Sequence, residues 1–494
     1  MPPYFGAAIL GLVVWASLAF VFGHALDVAQ APIGTRYNEW EKQYGLTYQL
    51  KGPFGKNTLI VNDPKGMNHV LQGRNYQRNS GDTELIKMCF GHGLFSAEGE
   101  EHRMMRKNVS GALSNQAVQE VSHVFFELAE RLVRSWEQKL DGNESGIFDI
   151  TPDIHRLTLD AISMTMFAHD LSGGEIPTIL KRITHSPPDG PADVLLKTFA
   201  SQFPVIMNLP SPMKKWCTEL RTSLGAVAKE VWSGHEAAGM HAKLLTTLAK
   251  ENVPEDITIA NIIGVIFAGS ETTANVIIES FYELARNQDM QKRIRAELAA
   301  FEAANGRRPT YEDLINPVHL PYFDAYTKEV LRTKSVLVTI SRTAVRDDVI
   351  PLQIPAKSAS DFKDVYEIPV KAGTLVEIPI RDGINVSEAI WGPDAAVFDP
   401  ERWLNPDRLP ESVKWVHAQG NMLTFGDGQK VCLGRSFALA EFKAALASLV
   451  RVFAFEEVPG VKFDFYHVGG NTVKPMIHGR ENEGTQMPLK VTQL

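Results

Sequence analysis

The chain has 494 residues, with 50 Lys and Arg against 58 Asp and Glu, for a formal charge of −8. That balance disfavours a sequence-independent grip on nucleic acid, and 44% hydrophobic with 22% charged residues excludes a disordered or collagen-like chain. Three cysteines, Cys89, Cys217 and Cys432, are too few and too far apart for a disulfide framework or a cysteine-rich zinc site.

No Asp, Glu, Lys or Arg precedes Asp27, and between Tyr4 and Gly23 the only ordinary polar side chain is Ser17. A helix of about 20 such residues, rising about 1.5 Å each, crosses a hydrocarbon core about 30 Å thick. A signal peptide is one alternative, but it would want a basic start, and Pro32 follows the cleavage-like Ala29-Gln30-Ala31. A buried core helix is another, although all-round apolarity at this length is rare in soluble proteins. The preferred organisation is a membrane anchor over residues 1–26, a linker over 27–36 and one body over 37–494. Arg36 and Lys42 follow the span, which favours a cytosolic body.

Further along, Leu46–Leu50 and Asn57–Val61 flank the turn Lys51–Lys56 and read as a hairpin. Within His102-Arg103-Met104-Met105-Arg106, the basic Arg106 taken by itself reads as part of a solvated face. Helical patterns dominate from about Asn115 to Lys334, the strongest running proline-free over Ile257–Arg286. Midway along it, Gly269 removes bulk and eases local opening of the helix, beside the acid Glu271 and the hydroxyl of Thr272. Glu329 and Arg332 sit three positions apart on one helix face, a pair that by itself says little.

From Ile340 to Ile380 the pattern turns to short β-like runs, with Tyr366–Val370 and Thr374–Ile380 joined across Lys371-Ala372-Gly373. Arg402 follows in Phe398-Asp399-Pro400-Glu401-Arg402-Trp403. Phe425-Gly426-Asp427-Gly428-Gln429-Lys430-Val431-Cys432-Leu433-Gly434 then sets one cysteine among glycines, just before a final helix. Such a loop lets the backbone approach a flat object closely, and a helix N-terminus favours a thiolate, which can ligate haem iron. The plainer reading is a buried free cysteine beside a glycine turn, which is also how Cys89 and Cys217 read. Helix-rich, with small sheets at both ends and no βαβ alternation, the body is expected to be one mostly α domain.

These motifs, in this order, resemble the cytochrome P-450 family of the fungal microsomal type. Phe425, Gly428, Lys430, Cys432 and Gly434 match its F-x-x-G-x-R-x-C-x-G loop, with lysine for the usual arginine. Ala268–Thr273 matches A-G-x-D/E-T-T, and Glu329 with Arg332 matches ExxR. The resemblance implies a mostly α fold with small β-sheets behind an N-terminal transmembrane helix, and a buried structural triad of Glu329, Arg332 and Arg402. It implies haem b with Cys432 as axial thiolate, propionates held by Arg106, His102, Arg342 and Lys430, and Thr272 and Glu271 relaying protons to activated dioxygen. Gly269 would make room for dioxygen and water.

The implied activity is insertion of one oxygen atom into a hydrophobic small molecule, such as a terpenoid, at the endoplasmic reticulum membrane. Electrons would come from NADPH through a separate cytochrome P-450 reductase, with cytochrome b5 as a further donor, and Arg435 and Lys443 are candidate docking charges. Ile86–Leu94, Ile263–Phe267, Val336–Ile340 and Phe465–Val468 are the regions expected to face substrate. Anchored members carry a proline-rich hinge, where this chain has Ala31-Pro32-Ile33-Gly34. A haem-thiolate isomerase or dehydratase without a reductase, and a non-catalytic haem protein, are the competing classes.

Overall fold

The computed structural model describes residues 20–169, 196, 199–200, 203–234, 243–358, 360–468 and 472–494. Most of the expected membrane span, residues 4–19, lies outside the described residues. The stretch read as a linker is tied to the body, because Ile33 N–H donates to the Phe465 carbonyl at 3.2 Å and Gly34 N–H to Asp382 Oδ2 at 2.6 Å.

The fold is mostly helical with small sheets. The helices that position the site are α1 (Ser80–Phe90), α2 (Gly99–Ser110), α3 (Asn115–Leu140), α4 (Thr151–Phe167), α5 (Pro212–Ser233), α6 (Glu255–Arg286), α7 (Pro321–Thr333) and α8 (Arg435–Val452). Helix α3 starts where Ser114 Oγ accepts the Ala117 N–H, and its buried Val118, Phe125, Leu128, Leu132 and Trp136 recur at helical spacing. That stripe packs on α8, with Phe125 and Phe437 edge to face at 4.9 Å. Helix α6 is the long apolar helix among the described residues, and it runs mostly buried through the core against α4, α5 and α8. Glu255 and Asp256 in its first turn complement the helix dipole.

The strands are β1 (Thr47–Lys51), β2 (Asn57–Val61), β3 (Tyr76–Gln77), β4 (Ser145–Asp149), β5 (Thr339–Ala344), β6 (Asp348–Lys357), β7 (Asp364–Val370), β8 (Leu375–Pro379), β9 (Phe453–Glu456), β10 (Phe463–Val468), β11 (Thr472–Ile477) and β12 (Pro488–Gln493). The hairpin read from Leu46–Leu50 and Asn57–Val61 is β1–β2, with Thr47 opposite Val61. The two runs flanking Lys371-Ala372-Gly373 do not pair with each other. Instead β7 pairs with β6 as a largely exposed ribbon, whereas β8 enters a five-stranded sheet of order β1-β2-β8-β5-β3. Burial explains the split, since Val376, Ile378 and Pro379 are enclosed only between β2 and β5.

One buried ionic cluster joins the later segments. Arg332 Nε and Nη2 bind the two oxygens of Glu329 at 2.9 and 2.7 Å, and its remaining N–H groups reach the carbonyls of Asn385, Ala395 and Val397. Arg402 Nε adds a bond to Glu329 Oε1 at 3.1 Å, and the Asp399 N–H and Trp403 indole complete the carboxylate's shell. All three side chains are essentially inaccessible to water. Glu329→Ala would strand two buried guanidinium groups, a loss of about 3–5 kcal/mol. A lowered unfolding midpoint and reduced soluble yield are expected; a wild-type midpoint in thermal denaturation would show that the cluster does not hold the fold.

Candidate active site

A cavity of about 800 Å³ lies between α6 and the cysteine loop. The loop is set by its glycines. Gly426 and Gly428 both take φ of +69°, and a Cβ on Gly428 would stand 2.1 Å from the Leu71 carbonyl oxygen, so no larger residue fits there. Cys432 N–H donates to the Phe425 carbonyl at 2.8 Å, closing the loop three residues before α8. The Cys432 sulfur opens into the cavity, so it is accessible although it lies deep inside the chain. Burial pushes its thiol up, while the Gly434 N–H, Arg106 and Arg435 pull it back. Gly434 also lines the cavity, and a Cβ there would meet no protein atom within 4 Å. The wall beside the sulfur is therefore flat and open.

Above the sulfur, Val265, Ala268, Gly269, Thr272, Thr273 and Val276 of α6 line the cavity. The helix is continuous here, with Thr272 Oγ1 donating to the Ala268 carbonyl at 2.8 Å. Gly269 serves the approach of α4, because a Cβ would come within 2.7 Å of Ile162. This differs from the local opening expected of it. Successive helix side chains are about 100° apart, and Glu271 accordingly points away from the cavity. It is 2% exposed, ion-paired with Lys474 of β11 and 3.4 Å from His155 of α4. Burial pushes the Glu271 carboxyl up, but Lys474 and then His155 outweigh it and keep it ionised. It is therefore enclosed from solvent, contrary to its expected role as the solvent-side end of a relay.

A second acid near this helix was not singled out from the sequence. Glu441 of α8 is buried with neither oxygen hydrogen-bonded, and the Thr273 hydroxyl bears on it without closing such a bond. Burial holds its carboxyl well above the usual carboxylate range.

Cations gather on one side of the cysteine. Arg106 of α2, Arg342 of β5 and Lys430 are joined by Arg78, which follows β3 and was also missed in the sequence. Lys430 Nζ donates to the Ala97 carbonyl at 2.7 Å and pairs with Glu98 at 3.0 Å. Burial, then Arg78, brings Lys430 down to about 8 and Arg342 to about 10. Burial, then Lys430 and Arg106, brings His102 down to about 4, so its imidazole is neutral at pH 7. Glu98 and Asp82 act on Arg78, Arg342 and Lys430 but not on Arg106, so the four cations keep a formal surplus of two positive charges over these acids. That surplus, beside a flat glycine wall and one sulfur, fits haem, whose two propionates are carboxylates.

The chain matches the family described as Cytochrome P-450 over residues 16–466. It belongs to the cytochrome P-450 family. Among its relatives, cytochrome P-450 monooxygenases claW and claU of Ampulloclitocybe clavipes are 30% and 29% identical. The first match covers 93% of this chain and 88% of the relative, the second 97% and 92%. Cytochrome P-450 monooxygenase 128 of Postia placenta is 29% identical over 96% of this chain and 91% of its own. The chain is thus a P-450 monooxygenase of fungal kinship, and haem with a thiolate ligand and dioxygen belong to that family's chemistry.

Other expectations change once the P-450 is folded. Residues Ile86, Leu94, Val265, Val336, Leu337, Thr339 and Ile340 contribute to the cavity, whereas Val338 is buried away from it and Phe465 packs at 6.0 Å from Tyr282 and at 5.6 Å from Arg381. The side chains of residues 467 and 468 lie outside the described ones. Lys443 is buried against Asp324 at 2.7 Å, which removes it as a docking charge, whereas Arg435 remains partly accessible.

Lys474→Met would leave Glu271 in a dry site without its main counter-charge. The folded carboxyl then rises above its unfolded value, so the variant should lose stability as pH climbs from 5 to 8, by up to about 3–5 kcal/mol, with partial rescue by Glu271→Gln. Urea unfolding at both pH values checks this, and a pH-independent loss would contradict it. His102 has the opposite reach: its folded value lies below the unfolded one of about 6.5, so its stabilising share is intact above that pH and lost as pH falls towards 4. His102→Gln should flatten the acid side of a plot of unfolding midpoint against pH.

Proposed function

We propose that this P-450 holds haem b through Cys432 and oxidises a hydrophobic small molecule, with electrons from NADPH arriving through a separate reductase. The observation that carries this is the mostly apolar cavity with Cys432 at its floor and a cationic side. When bound, the haem supplies the cleavage of dioxygen: two electrons and two protons turn dioxygen and a substrate C–H bond into an alcohol and water.

The chain's own groups bind, orient and move protons. Cys432 ligates as a thiolate, its negative charge favoured by the Gly434 N–H, Arg106 and Arg435. Arg78, Arg106, Arg342 and Lys430 hold the propionates, and neutral His102 donates a hydrogen bond from its ring. Leu85, Ile86, Leu94, Val265 and Leu337 exclude water and orient an apolar substrate. The Thr272 hydroxyl turns from the Ala268 carbonyl to pass a proton into the cavity. Glu271, ionised beside Lys474, must take up a proton before it can pass one on.

Residues 1–26 serve as the anchor in the endoplasmic reticulum membrane, 27–36 as the link and 37–494 as the cytosolic body. An apolar surface beside the cavity supports delivery of a lipophilic substrate from that membrane. There Phe54 packs against Phe199, Phe20 and Phe203, with Phe203, Val205 and Leu209 exposed and Pro53 on the cavity edge.

Cys432→Ala should abolish the thiolate-type band of the ferrous carbon monoxide spectrum, and a surviving band would remove Cys432 from the site. Thr272→Ala should keep that band but divert most reducing equivalents to hydrogen peroxide, measured as peroxide released per NADPH. Product formation that needs neither NADPH nor reductase would favour a haem-thiolate isomerase instead.

A further inference from the structure

Two sulfur atoms away from the active site stand 2.8 Å apart, Cys89 Sγ in α1 and Cys217 Sγ in α5. Both residues are buried, Cys89 5% and Cys217 0% exposed, and the two helices pack directly on each other. A disulfide needs an S–S distance of about 2.05 Å, so bond formation asks the two sulfurs to close by roughly 0.8 Å. The pair joins positions 128 residues apart in the chain. It also has a mechanical setting. Helix α1 supplies Leu85 and Ile86 to the cavity wall, and α5 lies on α6, where Gly225 faces Ile263.

We propose that Cys89 and Cys217 are a redox pair, oxidised by a hydroperoxide to a disulfide that ties α1 to α5 and stiffens the cavity wall. The Cys89 sulfur attacks the O–O bond, giving a sulfenic acid and releasing water or an alcohol. The Cys217 sulfur then attacks the Cys89 sulfur, the S–S bond forms, the S–O bond breaks, and the hydroxyl leaves with the Cys217 proton as water. Two thiols lose two electrons and two protons, and one hydroperoxide is reduced. Cys89 reacts first because it is the less enclosed of the two. Its contact with Cys217, together with burial, holds the Cys89 thiol protonated, so the reaction proceeds during openings of α1 and is slow at rest. A reducing cytosol returns the pair to thiols. In the reduced state the two sulfurs fill core space as small apolar groups.

The test uses the purified holoenzyme treated with a few equivalents of hydrogen peroxide, then alkylated under denaturing conditions and digested. The expected result is one linked peptide containing Cys89 and Cys217, reversed by dithiothreitol and absent from Cys89→Ser and Cys217→Ser. In stopped flow, association of phenylimidazole with the oxidised wild type should slow at least threefold and recover with dithiothreitol, while Cys89→Ser shows no peroxide effect. Full alkylation of both cysteines after peroxide, or separate sulfinic acids without a linked peptide, would overturn the pairing. A linked peptide with an unchanged association rate would overturn its hold on the cavity. The wild-type peptide map decides the pairing even if either serine variant folds poorly.

Discussion

The carboxylate of Glu329 and the guanidinium of Arg332 lie where water does not reach, and the geometry of everything near the cysteine follows from how they are satisfied. All five N–H groups of Arg332 are used, on Glu329 and on three backbone carbonyls between Asn385 and Val397. Asn385 in turn donates to Thr424 and accepts from the Leu423 N–H, and Thr424 Oγ1 donates to the Leu331 carbonyl. Phe425, whose carbonyl receives the Cys432 N–H, is the next residue along. A short chain of hydrogen bonds thus connects one buried ion cluster to the cysteine loop. A lysine at 332 would supply three donors from a point, too few for this set.

The same constraint recurs along α6. Glu271 meets Lys474, Glu279 forms a two-bond fork with Arg381 at 2.7 and 2.6 Å, and Glu283 meets Lys334 at 2.7 Å. A helix this apolar carries such acids only because cations from β11, the segment after β8 and the end of α7 arrive to pair with them. These pairs fasten the helix to the later third of the chain. Glu441, which has no hydrogen bond to either oxygen among the described residues, instead has its carboxyl pushed well up by burial. Acids met by cations and an acid whose carboxyl burial alone pushes up occupy the same core, and the difference lies in whether a partner offsets the desolvation.

Near the cysteine the balance is reversed. Arg78, Arg106, Arg342 and Lys430 crowd a partly buried wall, and burial together with their mutual repulsion lowers Lys430 and Arg342. Held apart from enough negative charge, they form a site prepared for an anion. The wall, the glycines and the sulfur come from four separate stretches of chain, and the common property is that each leaves something unsatisfied facing the same cavity.

Local chemistry in the sequence determined the cysteine loop, the proline-free core helix, the β1–β2 hairpin and the membership of the P-450 family, because each depends on residues close together in the chain. Glycine spacing and helical periodicity act over a few residues and are legible there. Tertiary structure alone decided that β8 leaves its sequence neighbour β7 for β2, that Glu271 faces Lys474 and not solvent, and that Arg78 joins the cationic wall. It also removed Lys443 from the surface and set Cys89 against Cys217. Those outcomes rest on which groups meet once water is excluded, and partners for buried charge and sulfur are chosen by proximity in space, for which a single chain carries no local mark.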